Sequence, residues 1–215
     1  MSDAELPPLP PLSPEAEAQY TPAGQSIVDM LADEHRQITR LAAELATEAP
    51  SASPARRREV AEVVTAVVSR HLAAEEQYLL PTVKNLFPDG DDLVSRELAE
   101  DGAIRQVLQT LSVTPAEDEG FQSLALEVDA HLRRHKHTAD RRIHGRLKEL
   151  ADDDELIRLG NRAAIAEEAA GTRPHPKSPS SPPWNKIVDP MLGVADKLRD
   201  AVTGRPTYPS DLDPK

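Results

Sequence analysis

Four long stretches of this chain repeat their apolar residues every three or four positions, the period of a helix that buries one face. The first stripe is Ile27, Leu31, His35, Ile38, Ala42 and Leu45, and the second is Val60, Val64, Val67, His71, Glu75, Tyr78 and Thr82. The third is Leu93, Glu97, Asp101, Ile104, Leu108 and Leu111, and the fourth is Leu124, Val128, His131, His135, Ala139, Ile143 and Leu147. Stripes of this kind are buried against one another, and long helices joined by short loops pack as antiparallel neighbours. The expected fold is all-α, an up-down antiparallel four-helix bundle. Each stripe also carries imidazoles or carboxylates where Val or Leu would belong. A buried carboxylate without a partner is costly, so the interior has to hold something that compensates it.

The breakers of the chain set the limits of these helices. The first is expected from Ser26, an N-cap with Asp29 three residues on, to a point before Pro50. "SPARRRE" places Ser53 as cap and Pro54 at the first position of the second helix, which runs to about Leu86 and stops at "FPDGDD". The third is expected from about Asp92 to Ser112 and the fourth from about Glu117 to Leu150, after which "ADDDE" interrupts and a shorter helix runs to Ala170. Of the 20 prolines, those between Gln25 and Gly171 are Pro50, Pro54, Pro81, Pro88 and Pro115, each read as a helix edge or loop. The organisation is then a disordered Pro-rich tail over 1–24, the bundle over 25–152, an additional helix over 153–170, a Pro/Ser-rich linker over 171–186, and 187–215 as an amphipathic helix and tail. In that last piece Ile187, Met191, Val194, Leu198 and Val202 recur at helical spacing, fit to dock on the bundle, on a partner that the sequence does not name, or on a membrane surface, a reading that its mixed charges weaken.

Charge and composition exclude several classes of function. A formal charge of −12 opposes a nucleic-acid partner, which needs clustered Lys and Arg. The absence of cysteine removes disulfides, thiolate metal ligands and iron–sulfur clusters. Neither a basic and apolar leader nor a run long enough to span a bilayer is present, so the expected location is the cytoplasm. Phosphate loops and nucleophile constellations are absent too, and no side chain is assigned a catalytic role.

The polar residues on the stripes are of one kind. His35, His71 with Glu75, Glu97 with Asp101, and His135 near Asp140 lie on four different helices, and a bundle can aim all of them at one internal point. His71 and Glu75, four residues apart, lie one above the other and can reach the same metal. Imidazole and carboxylate together suit iron, manganese or zinc. Taken singly, His35 and His135 read equally well as satisfied core histidines, and Glu97 and Asp101 equally well as a wet helix face. His131, one turn before His135, is an alternative ligand; Glu76 and Glu100 are expected outward, and His137 and His175 exposed.

These residues resemble the hemerythrin-like (HHE cation-binding) proteins over roughly Ile27 to Leu150. The likeness rests on "DMLADEHRQI", on "RHLAAEEQYLLP" with its His-x-x-x-Glu and trailing Pro81, and on "HKHTADRRI" with His135 and Asp140 at a His-x-x-x-x-Asp spacing. The stretch "PHPKSPSSPPWNK" with "VDPMLGVADKLRDAVTGR" looks like the C-terminal region of actinobacterial members. The resemblance implies a non-haem di-iron centre, two iron ions bridged by oxo and carboxylate groups, that binds or senses dioxygen, peroxide or nitric oxide, or handles iron. It implies His35, His71, Glu75, His135 and Asp140 as ligands, with Glu75 and Asp140 bridging. The third helix departs, since Glu97 and Asp101 stand where the family usually has histidines. So does the fourth, where Ala139 replaces an acid of many bacterial members and His144 replaces an apolar residue. An oxygen-rich set favours ferric oxidation or storage over reversible oxygen carriage. The alternatives are an enzyme that consumes peroxide or nitric oxide, and a metal-free regulatory or structural bundle with a degenerate site.

Overall fold

The computed structural model describes residues 21–48, 52–174, 196–197, 199–200 and 202–212. In chain order the elements are α1 (Ile27–Glu48), α2 (Pro54–Ala74), a π turn (Glu75–Leu79), α3 (Leu80–Leu86), α4 (Gly90–Val113), α5 (Glu119–Thr138), a second π turn (Ala139–Ile143), α6 (His144–Leu150) and α7 (Asp153–Ala169). Among the described residues there is no strand. The fold is all-α, as the stripes require.

The helix starts are chemically marked. Ser53 Oγ accepts from Arg56 N at 3.2 Å with Pro54 following it, and Ser26 Oγ accepts from Asp29 N at 3.1 Å. Asp118 and Asp152 cap α5 and α7 through the backbone amides of Gly120 and Asp154. The second and fourth expected helices differ from a continuous α-helix by their π turns. Pro81 has no N–H for the carbonyl four residues back, and the turn just before it closes instead through Leu80 N–H to Glu75 O. The second π turn closes likewise, through His144 N–H to Ala139 O.

Neighbouring helices run antiparallel, as their cross-contacts show. On α1 and α2, Glu44 meets Arg56 while His35 meets His71. On α1 and the α5–α6 rod, Ala46 meets Gln122, His35 meets His135, and Asp29 meets Lys148. On the α4 side and the α5–α6 rod, Asp101 meets His135 while Asp89, just before α4, meets Arg146. Helix α7 lies against α1 and α2.

Two apolar clusters fill the bundle. One gathers Ile38, Leu45, Val64, Leu72, Ile104, Leu108, Phe121 and Leu132 with their neighbours; the other gathers Ile27, Leu31, Leu79, Val83, Leu93, Ile143, Leu147 and Leu156. Along α1 the junction falls between Leu31 and Ile38, along α4 between Leu93 and Ile104, and along the fourth rod between Leu132 and Ile143. Of the polar stripe residues, His35, Glu97, Asp101 and His135 occupy that junction, and on the second rod His71 and Glu75 flank it.

The described C-terminal residues return to α2. Arg70 donates to Thr207 O at 2.6 Å and its guanidinium lies 4.3 Å from the Tyr208 ring, while Arg56 donates to Leu212 O at 3.0 Å. Arg173 and Arg205 both pair with buried Asp200. Residues 1–20 of the expected N-terminal tail, most of the linker and the apolar residues Ile187, Met191, Val194 and Leu198 lie outside the described residues.

Candidate metal centre

Each rod of the bundle passes from one apolar cluster to the other, and the residue at the crossing is an imidazole or a carboxylate. His35, His71, Glu75, Asp101 and His135 are all at most 3 % exposed. Glu97 is buried too. The structure brings them to one place.

Glu75 is the hub. Its Oε1 lies 3.6 Å from His35 Nε2 and 3.5 Å from His71 Nε2, and its Oε2 lies 3.1 Å from His135 Nε2. His35 Nε2 and His71 Nε2 face each other at 3.0 Å. One ligand atom from each of His35, His71, Glu75 and His135 falls within 4.8 Å of the other three. The far nitrogens face carboxylates: His71 Nδ1 meets Glu34 Oε2 at 2.8 Å, and His135 Nδ1 lies 3.6 Å from Asp101 Oδ1. The Glu34 carboxylate on the Nδ1 side of His71 selects the tautomer whose Nε2 lone pair points inward, the orientation a metal-bound histidine needs.

Charges follow from burial and from these neighbours. Desolvation holds His35 well below the ordinary histidine value and lowers His71, so both are neutral. Burial alone would lower His135 as well, but the Glu75 carboxylate, with Asp101 and Glu97, outweighs it and holds the group at about 9. Glu75 is the converse: burial raises it, and the imidazoles of His135, His71 and His35 bring it below its ordinary value. Burial pushes Asp101 well above the usual carboxylate range and raises Glu34 to about 7. Glu167 of α7, itself raised by burial and by Glu34, hydrogen-bonds Glu34. His135 and Glu75 thus form a buried ion pair, 3.1 Å apart, at the centre of the cluster.

The donor set fits a cation. His35 Nδ1, Glu75 Oε1, both Asp101 oxygens and both His135 nitrogens are buried without a hydrogen-bond partner. An interior that leaves so many polar atoms unbonded is unfavourable by itself, and a cation ligated by them removes the penalty.

The other candidates fall elsewhere. Asp140 has a side chain 39 % exposed and pairs through Oδ2 with Lys136, apart from the four-residue group. His131 Nδ1 pairs with Glu100 Oε1 at 2.7 Å and does not join the group, so of the two alternatives on this helix it is His135 that faces Glu75. Glu100 is half-buried rather than outward. Glu76 is a correction: it is 3 % exposed and bonds Arg105 at 2.7 Å, because α4 closes over that side of the π turn. His137 is exposed and His175 lies outside the described residues. The sequence reading missed Glu34, Glu167 and His144. Glu34 adjoins His35 in the chain, a signal that was there to read; Glu167 needs the position of α7, which no spacing gives.

Comparison with known proteins agrees with this geometry. Residues 26–147, more than half the chain, match the hemerythrin HHE cation binding domain. The chain is similar to an uncharacterized hemerythrin-like protein of Schizosaccharomyces pombe, 21 % identical over 134 residues. That likeness covers 62 % of this chain and 66 % of the relative, just under two thirds of its length. No solved structure matches. A chain whose buried imidazoles and carboxylates meet at the middle of a helical bundle, and whose sequence matches that domain from first rod to last, belongs to the hemerythrin HHE cation-binding family.

Proposed function

We propose that this protein is a non-haem di-iron protein of the cytoplasm, of the actinobacterial type, that binds or senses dioxygen, peroxide or nitric oxide, or stores iron. The observation that carries the reading is the buried group His35, His71, Glu75 and His135, whose ligand atoms lie within 4.8 Å of one another and include orphaned polar atoms. Iron bound there supplies open coordination positions and a redox couple for a small ligand.

The residues of the chain have separable roles. Glu75 turns one oxygen to His35 and His71 and the other to His135, so it would hold bound iron together with all three imidazoles. Glu34 orients His71, and Asp101, on the Nδ1 side of His135, orients that ring. Glu97, buried on α4 and within electrostatic reach of His135 and Glu75, is a carboxylate that α4 could offer as an oxygen donor. The apolar clusters on both sides exclude water from the centre. Manganese and zinc suit the same donors. In the described residues no helix is long and apolar enough to cross a membrane.

Metal quantification on protein expressed in iron-replete medium tests this. About two iron atoms per chain are expected, as in bundle-held dinuclear sites. Protein free of any transition metal would support the metal-free regulatory or structural bundle instead. Oxygen evolved from added peroxide by the iron-loaded protein, and not by the metal-free one, would turn the reading to a peroxide-consuming enzyme.

A further inference from the structure

His144 is a buried imidazole that the four-residue group does not include. We propose that it is an additional metal ligand of this centre, with Asp140 as the positioning residue behind it. The proposal rests on the metal-centre reading above and assigns a donor set that neither the stripe pattern nor the His-x-x-x-x-Asp spacing contains.

The geometry points this way on three counts. His144 is 7 % exposed and its Nε2 is buried without a hydrogen-bond partner. Its ring centre lies 5.7 Å from that of His35, the planes 31° apart, so the ring borders the cluster rather than the surface. Its Nδ1 lies 3.6 Å from Asp140 Oδ1, as His71 Nδ1 faces Glu34 and His135 Nδ1 faces Asp101, which leaves the buried Nε2 on the ring edge away from the carboxylate. Asp140 is free to do this because its other oxygen takes Lys136. Lys148, one turn beyond His144, is engaged by Asp29 on the surface.

Helix register explains how His144 arrives there. Nine residues after His135, at about 100° per residue, a continuous α-helix puts a side chain about 180° round, on the opposite face. The π turn Ala139–Ile143 takes up one extra residue, which turns everything after it back by about 100° and brings His144 toward the His135 side. Ala139, one turn after His135, is buried and too small to donate. His144 supplies from beyond the π turn what that position lacks.

The test is cobalt(II) titration of the metal-free full-length chain, followed by visible absorption, in wild type, His144→Leu and Asp140→Asn. Leucine keeps the site apolar and filled, so helical circular dichroism is expected to stay that of the wild type. His144→Leu is expected to bind at least tenfold more weakly or with fewer cobalt ions per chain, and with a changed ligand-field spectrum. Asp140→Asn is expected to keep the stoichiometry and weaken binding roughly 10–100-fold. Wild-type stoichiometry, affinity and spectrum in His144→Leu would overturn the proposal while leaving the metal centre standing; a wild type that binds no cobalt would defeat the centre itself. If His144→Leu does not fold, 15N-histidine-labelled wild type carries the test. On adding zinc, the His144 Nε2 resonance is expected to shift with those of His35, His71 and His135, and an unmoved His144 overturns the proposal.

Discussion

Glu75 and Glu76 are chain neighbours with different work. Glu75 touches His35, His71 and His135, whereas Glu76 touches Arg105. Glu75→Ala is therefore expected to abolish stoichiometric metal binding and to destabilise the metal-free fold by about 3 kcal/mol, since it leaves a buried charged imidazole without its partner. Glu76→Ala is expected to cost about 2 kcal/mol through the lost charge-assisted bond to Arg105 while keeping its metal. Metal analysis beside chemical denaturation separates the two; equal metal content in both variants would contradict the assignment. Glu34→Gln is expected to weaken metal binding roughly 10–100-fold by loosening the His71 tautomer, measured by competition with a chelator of known affinity. Unchanged affinity would make Glu34 a bystander.

At the scale of elements, the π turns decide which residues face inward. Deleting Arg141, which is exposed, removes the extra residue and leaves His144 and Leu147 on the inner face of a regular helix. That variant is expected to fold and keep its metal, whereas an alanine inserted after Arg141 turns α6 by about 100° and is expected to lose both. Metal content and helical circular dichroism read the difference, and the reverse order would refute the register account. Helix α7 is held close by Gly160, where a Cβ would come within 2.3 Å of Gln25 O and 2.9 Å of Ile27 N. Gly160→Ala is expected to lower stability by about 1–3 kcal/mol in thermal unfolding, with α1 as the displaced partner. The sequence made the helices legible because caps, breakers and a 3.6-residue period are local: Ser26, Ser53 and Pro54 mark starts, and every named residue of the first and third stripes is buried. His35, His71, Glu75 and His135 were legible for the same reason, lying on continuous stripes. His144 was not, because a constant 100° step carries it to the wrong face, and Asp140 was placed inside by a spacing that the π turn does not keep.

The whole molecule is a polar layer held between two apolar plugs, with α2 buried on nearly every side by the bundle within and by α7 and the C-terminal residues without. Those outer contacts join distant parts of the chain, so the periodicity of α2 shows only the inner ones. In the metal-free protein His135 stands at about 9 against an ordinary 6.5. A raised histidine stabilises the fold fully below pH 6.5 and loses that contribution as pH rises through about 9, a change of about 3 kcal/mol. Buried Asp101, raised well above its ordinary value, acts in the same direction, because ionising it in place is costly. The melting temperature of the metal-free protein is thus expected to fall between pH 6.5 and 9, and bound metal, which replaces the proton on His135, is expected to flatten that slope; a metal-free protein that melts at the same temperature across this range would contradict the buried ion pair. The most direct measurement of the central claim is anomalous X-ray scattering at the iron edge from crystals of the iron-loaded chain. The account predicts scattering peaks among His35, His71, Glu75 and His135, between the two apolar clusters. Peaks only elsewhere, or none in a chain whose side chains stand as described, would contradict it.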